Sequence, residues 1–227
     1  MRVERSLQTV LLYLGLLMLA MSGGCGEPPA PDTSLLTGEP CEPPCWQGLT
    51  PGQSTLQEVN EFMRTSGFVN PGSVHRSQLH RSGQWVGVSI WWRSTVGGGS
   101  RSNKFIVEGG VLDSVTIYPD YVLTLQRLID RYGPPERYVA GLPISGPLYY
   151  EVTLFYPTYG FTTELVVPYD DGTLQPETRV ASVWYFRAAT MERFVELGCE
   201  AGYLGGAPDK SLEALRDWPG YGPIELD

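Results

Sequence analysis

The sequence predicts an α+β fold: tandem helix–β–β–β repeats that share an antiparallel sheet, followed by C-terminal helices. Three observations predict it. Thr55–Val69 (TLQEVNEFMRTSGFV) and Thr124–Val139 (TLQRLIDRYGPPERYV) both open Thr-Leu-Gln, carry apolar residues at helical spacing and break at a glycine. Each is followed by runs that alternate apolar and polar residues, as strands do. The offset between the copies is steady: 69 positions between the threonines (124 − 55) and 68 between the last strands at Leu112 and Val180 (180 − 112), as a duplicated unit requires.

Along the chain, Arg2 and Arg5 precede an apolar run, Val10–Met21, that ends in Ser22-Gly23-Gly24-Cys25. A basic start, a short apolar stretch and small residues before a cleavage point are the parts of an export signal. The run falls short of the roughly 18 residues that a membrane-spanning helix needs. Its Ser-Gly-Gly-Cys ending resembles the lipobox of bacterial lipoproteins. That resemblance implies an acylated, palmitate-bearing Cys25 at the mature N-terminus and an extracytoplasmic protein held to the membrane of the cell envelope. Two or more acyl chains hold stably where one is marginal. The alternative is an ordinary secretory signal with Cys25 a plain thiol.

Residues 1–25 are therefore expected as signal and lipobox. Gly26–Pro44 (GEPPAPDTSLLTGEPCEPP) is proline-rich and lacks apolar periodicity, which predicts an extended tether reaching ~50–60 Å at about 3.1 Å per residue. Export makes a disulfide plausible, and Cys41, Cys45 and Cys199 remain once Cys25 is set aside. The local pair Cys41–Cys45 is slightly favoured, with a bridge from either one to Cys199 as the alternative.

The first repeat spans 45–118. Ser54 or Thr55 caps a helix whose Leu56, Val59, Phe62 and Met63 share a face. His75–Ser82 reads as loop. Gln84–Trp92 alternates, with Val86, Val88, Ile90 and Trp92 on one side and Trp85, Ser89 and Trp91 on the other. Gly97–Ser100 is a glycine-rich loop, and two further strands meet at the hairpin signal Gly109-Gly110. The second repeat, 119–188, carries the helical face Leu125, Leu128, Ile129 and Tyr132, stopped by Gly133-Pro134-Pro135. Strands follow at Tyr149–Tyr156, Phe161–Val167 and Val180–Phe186. The tail, 189–227, reads as two short helices, one capped by Thr190 and one over Pro208–Trp218.

The turn before the first helix, Gly48-Leu49-Thr50, and the helix ending Tyr132-Gly133-Pro134 resemble the BamE-like outer-membrane-assembly lipoproteins. The tandem arrangement resembles the β-lactamase inhibitor protein family, which implies a curved sheet that grips a partner protein. The opening Pro44-Cys45-Trp46-Gln47-Gly48-Leu49-Thr50-Pro51-Gly52 is similar to that of uncharacterised bacterial lipoproteins. These resemblances bear on fold and location and transfer no binding residue.

Composition narrows the function classes. With a formal charge of −9 the chain lacks the basic footprint of a nucleic-acid binder. No Gly-x-Ser-x-Gly elbow, His-Glu-x-x-His or Walker pattern occurs in the sequence, so no catalytic set, cofactor or metal site is expected. His75 and His80 read as surface residues, and Asp170-Asp171 as a solvated turn. The expected site is a sheet face. If Val86, Val88, Ile90, Val115, Ile117, Val152, Leu154, Val183 and Tyr185 face the helices, the opposite face displays Trp85, Trp91, Thr116, Tyr118, Tyr149, Glu151, Phe155, Trp184 and Phe186. Rings mixed with hydroxyls suit recognition; the competing expectation is that the tail helices cover this face as a second core. The function expected is a non-enzymatic protein-binding module for an envelope or extracellular protein, using Trp85, Trp91, Tyr118, Tyr149, Phe155 and Trp184. The alternatives are glycan or small-ligand binding on the same rings, and an enzyme built on Glu151 and Asp170.

Overall fold

The structure is a computed structural model that describes residues 30–96, 101–141, 149–201 and 208–224, without the side chains of 199–201 and 208–210. Cys25 and its expected lipidation lie outside the described residues, as do the Gly97–Ser100 loop and the side chain of Cys199.

The dominant element is one antiparallel sheet of nine strands. Its first half is built from β1 (His75–Arg81), β2 (Gln84–Trp92), β3 (Asn103–Glu108) and β4 (Val111–Ile117), each pairing with the next. The second half contributes β5 (Arg137–Gly141), β6 (Tyr149–Tyr156) and β7 (Phe161–Pro168). A separate ribbon uses β8 (Thr173–Leu174), and the chain then returns through β9 (Val180–Tyr185). Near the C-terminus, β10 (Arg216–Asp217) joins β5, while β11 (Gly222–Pro223) pairs with β8. The order across the large sheet is β1-β2-β3-β4-β9-β7-β6-β5-β10.

This overturns the expected tandem helix–β–β–β architecture. The described helices are few and short, and the sheet is not divided into two units. β4 and β9 pair directly, Val115 opposite Tyr185 and Ile117 opposite Val183, so both halves belong to one sheet. A single core runs beneath it, from Trp46 and Ile90 at one end to Leu154 and Val167 at the other. The strand count also differs from three per unit, because His75–Arg81 is a strand rather than a loop and Arg137–Gly141 is another.

Two helices pack on the inner face. The first, which follows a four-residue α1 (Ser34–Thr37), is α2 (Leu56–Thr65); the other is α3 (Leu125–Tyr132). Val59 and Met63 are the buried stripe of α2, and Leu125, Leu128 and Tyr132 that of α3. Both start at a threonine cap. At Thr55 the capping box is complete: its hydroxyl accepts from the Glu58 amide, and the Glu58 carboxylate accepts from the Thr55 amide at 2.6 Å. Each helix is also stitched to the sheet side by its first amide, Leu56 to the Gly110 carbonyl and Leu125 to the Thr178 carbonyl, both at 2.8 Å.

Removing the cap hydroxyl with Thr55→Ala is expected to lower stability by about 1 kcal/mol. The Glu58 carboxyl is held below the usual carboxylate range, first by the Thr55 amide and second by the Thr55 hydroxyl. Its contribution is therefore complete above that range and disappears as the pH falls through the lowered folded value. Because the amide survives the substitution, urea unfolding at neutral and acidic pH should show Thr55→Ala weaker throughout but with most of its acid sensitivity retained.

The segment expected as an extended tether is largely folded. Residues 30–44 include α1, bury Ser34 and Leu35, and lie against the core. Asp32 accepts from the Trp46 indole at 2.6 Å and from the Gln47 amide at 2.9 Å. Cys41 and Cys45 are joined by a disulfide, their Cα atoms 5.7 Å apart. The proline-rich sequence around them, expected as part of an extended tether, does not keep these thiols apart. The C-terminal segment is not purely helical either: α4 (Met191–Ala201) and α5 (Pro208–Glu213) are followed by β10 and β11.

Candidate functional site

The outer face of the sheet is the face without α2 and α3. Strand register lines up one row across it: Trp91, Lys104, Thr116, Trp184, Thr162 and Phe155 sit directly opposite one another from β2 to β6. Side chains alternate across a strand, so a second row runs parallel to it, with Tyr118 on the β4 side and Glu164 and Thr153 on β7 and β6.

The two ends of the first row have different fates. At the β6 end Phe155 is fully buried, under a small cluster made with Phe186, Phe194 and Val195. Phe186 and Phe194 meet edge to face, their centroids 5.4 Å apart. The helices α4 and α5 thus form a second core over this part of the sheet, with Val139, Met191, Leu212 and Leu215 at its rim. Phe155 is a packing residue, and its expected place in the binding set is corrected. The amphipathic α4 needs an apolar surface to cover, and Phe155 with Phe186 supplies it.

At the β2 end the rings stay open. Trp85 is 66% exposed and Trp91 36%. Tyr118 and Trp184 are half-buried. Tyr149 is half-buried too, but it lies at the far end of β6, three strands from β4, and does not join this group. The structure therefore brings together Trp91 and Trp184 across the row and places Tyr118 beside them. Trp85 stands near the tip of the β1–β2 hairpin, whose turn uses left-handed Ser82 and Gly83. It pairs with His80 while Gly87 pairs with the adjacent Leu79, so a bulge at Val86 turns it to the face opposite Trp91, and its expected place in the outer set is corrected.

Lys104 is the residue that the sequence reading missed. Its ammonium lies 5.0 Å from the Trp91 ring centroid and 4.9 Å from that of Trp184, a cation held between two indoles. Burial pushes its pKa below the usual lysine range. The signal was in the chain: Phe105 faces inward, so the alternating pattern turns Lys104 outward. Trp184 is fixed from the other side, donating to the Ser182 hydroxyl at 3.2 Å, which donates to Glu164 at 2.9 Å. Arg101 lies over the Tyr118 ring at 5.3 Å.

The face is electrically two-sided. Lys104 and Arg101 belong to the β3–β4 side, Glu164 and Glu151 to β7 and β6. Burial, and next the charge of Glu164, raises the pKa of Glu151. Glu151 therefore senses Glu164, whereas Asp170 sits on an exposed turn. Near Tyr118 the sheet ends in a cleft of about 550 Å³, lined among others by Arg101, Asp120, Tyr121, Val166 and Arg179. Among the described residues no group of three metal-ligating side chains occurs, and no helix is long and apolar enough to cross a membrane. No protein-family model, curated protein or solved structure matches this chain, so what its outer face does is argued from that face alone.

Proposed function

We propose that the chain is a membrane-tethered extracytoplasmic lipoprotein whose folded part is a non-enzymatic protein-binding module, docking an envelope or extracellular protein on the open part of the aromatic face. One observation carries this reading: α4 and α5 gather over Phe155 and Phe186, while Trp91 on the same face remains exposed. Exposed tryptophans are costly to leave in water and supply much of the energy at protein interfaces. The tether and the envelope location come from the lipobox-like ending at Cys25.

The test is capture of partners from native envelope by the wild-type chain and by Trp85→Ala and Trp91→Ala. Trp91→Ala is expected to reduce the retained partner by about tenfold and Trp85→Ala, on the opposite face, to leave it unchanged. Stability should stay within roughly 0.5 kcal/mol for Trp85, as for a surface change. Equal retention by both variants would remove the docking face. Stabilisation by a sugar in a glycan panel, with no protein captured, would replace this reading by glycan binding.

A further inference from the structure

The centre of the open face holds an unanswered cation. Between Trp91 and Trp184, the Lys104 ammonium has no hydrogen-bond acceptor and no ion-pair partner among the described residues, only the two rings. This occurs in a chain with 25 acidic and 16 basic residues, where carboxylates are plentiful. Directly across the β3–β4 ladder is Thr116, 2% exposed, whose hydroxyl is buried without a partner. Two residues earlier on the same strand, the Ser114 hydroxyl is in the same condition. Buried polar groups are normally paired, and those that are not call for an explanation.

We propose that Lys104, flanked by Trp91 and Trp184, is the socket for a carboxylate side chain, Asp or Glu, on a protruding segment of the partner protein. This rests on the docking face proposed above and names its recognition chemistry. The two indoles hold the ammonium in place before binding, so little side-chain entropy remains to be lost. They also shield it from water, which strengthens a charge-assisted hydrogen bond to an incoming oxygen. As the ammonium is drawn towards the carboxylate, the Thr116 hydroxyl beneath becomes available as a second donor. Glu164 and Glu151 repel the same carboxylate from the β7–β6 side, so they fix which way round the partner lies. The lysine's lost hydration is the desolvation that a carboxylate partner offsets; a neutral partner leaves it uncompensated.

The probe is hexaglutamate, with hexaglutamine as the neutral control, titrated into the full chain at low ionic strength while tryptophan emission is recorded. Expected is a saturable change with hexaglutamate that weakens with added salt, and none with hexaglutamine. Lys104→Met, which keeps the apolar stem between the indoles, should weaken binding at least tenfold, and Lys104→Arg should retain most of it. If the methionine variant does not melt cooperatively, Lys104→Gln takes its place. An equal response to hexaglutamine, no saturable response to hexaglutamate, or unchanged binding by the uncharged variant overturns the socket. Should these fail while capture still depends on Trp91, the docking face survives and the carboxylate assignment alone is lost.

Discussion

Phe161→Ala is expected to lower the unfolding free energy by about 3–5 kcal/mol and to do so in one transition shared by both halves of the sheet. Phe161 is fully buried. Its ring stacks on Tyr156, centroids 4.7 Å apart and planes inclined by 18°. It meets Tyr132 of α3 at 5.0 Å and Tyr185 at 6.3 Å. Deleting it leaves a void that these large rings cannot close without leaving their rotamers, which places the cost in the upper part of the range for core truncation. The effect crosses the molecule because Phe161 is paired with Tyr185 on β9, and Tyr185 is paired with Val115 on β4. Urea unfolding with amide exchange read separately on β2–β3 and β6–β7 checks this. The two sets of amides should lose protection together. Persistent protection of β2–β3 after β6–β7 has opened would show that the inner-face core is divided where the structure has it continuous.

How far the sequence showed this depends on burial. The strands β6 and β7 and the helices α2 and α3 each bury one side more deeply than the other, so their periodicity is written in the residues. β1 is different. His75–Arg81 is the edge strand, mostly exposed on both faces, and HRSQLHR has no apolar alternation to read. Edge strands that carry basic residues avoid pairing with other chains, and the same feature hides them from pattern reading. The pairing of β4 with β9 was also illegible, since it joins segments far apart in sequence and leaves no local trace. The nearly equal offsets between Thr55 and Thr124, and between Leu112 and Val180, describe spacing along the chain; they do not say which strands meet. At the site, parity correctly turned Trp91, Tyr118 and Trp184 outward, and it turned Phe155 outward as well; for Trp85 it failed, because the bulge at Val86 reverses the alternation. What parity could not supply was the cover: Phe155 is buried because Phe194 and Val195 on α4 reach it. Lys104 was overlooked although the same parity applies to it, because a lone lysine in a strand reads as a solvated charge unless its two cross-strand neighbours are known.

Asp32→Ala is the second large effect expected, a loss of about 1–3 kcal/mol, the range for orphaning a buried donor. The Trp46 side chain, in a residue 1% exposed, has its indole nitrogen 2.6 Å from the Asp32 carboxylate. The other carboxylate oxygen accepts from the Gln47 amide at 2.9 Å and the Ser34 backbone at 3.1 Å. One carboxylate thus ties the start of α1 to the aromatic cluster in which Trp46 packs against Phe62, Trp92 and Phe105, with centroids 5.2, 5.7 and 5.8 Å away. Alanine removes all three hydrogen bonds and leaves the indole N–H of the buried Trp46 without its acceptor. The rest of the strap limits the damage. The Tyr132 hydroxyl still donates to the Leu35 carbonyl, and Arg131 still pairs with Glu42. Burial pushes the Tyr132 hydroxyl up to about 12, so this donor is kept throughout the neutral range. Residues 30–44 should therefore loosen at their start while staying attached near α3. Thermal melting should fall by about 2–4 °C for each kcal/mol lost in a chain of this size, and limited proteolysis should cut between Pro31 and Ser34 faster than in the wild type. Asp32→Asn, which retains one side-chain carbonyl oxygen, should lose less. A variant that melts like the wild type, with unchanged Trp46 emission, would mean that the strap is held by its apolar contacts at Leu35 and owes little to the carboxylate.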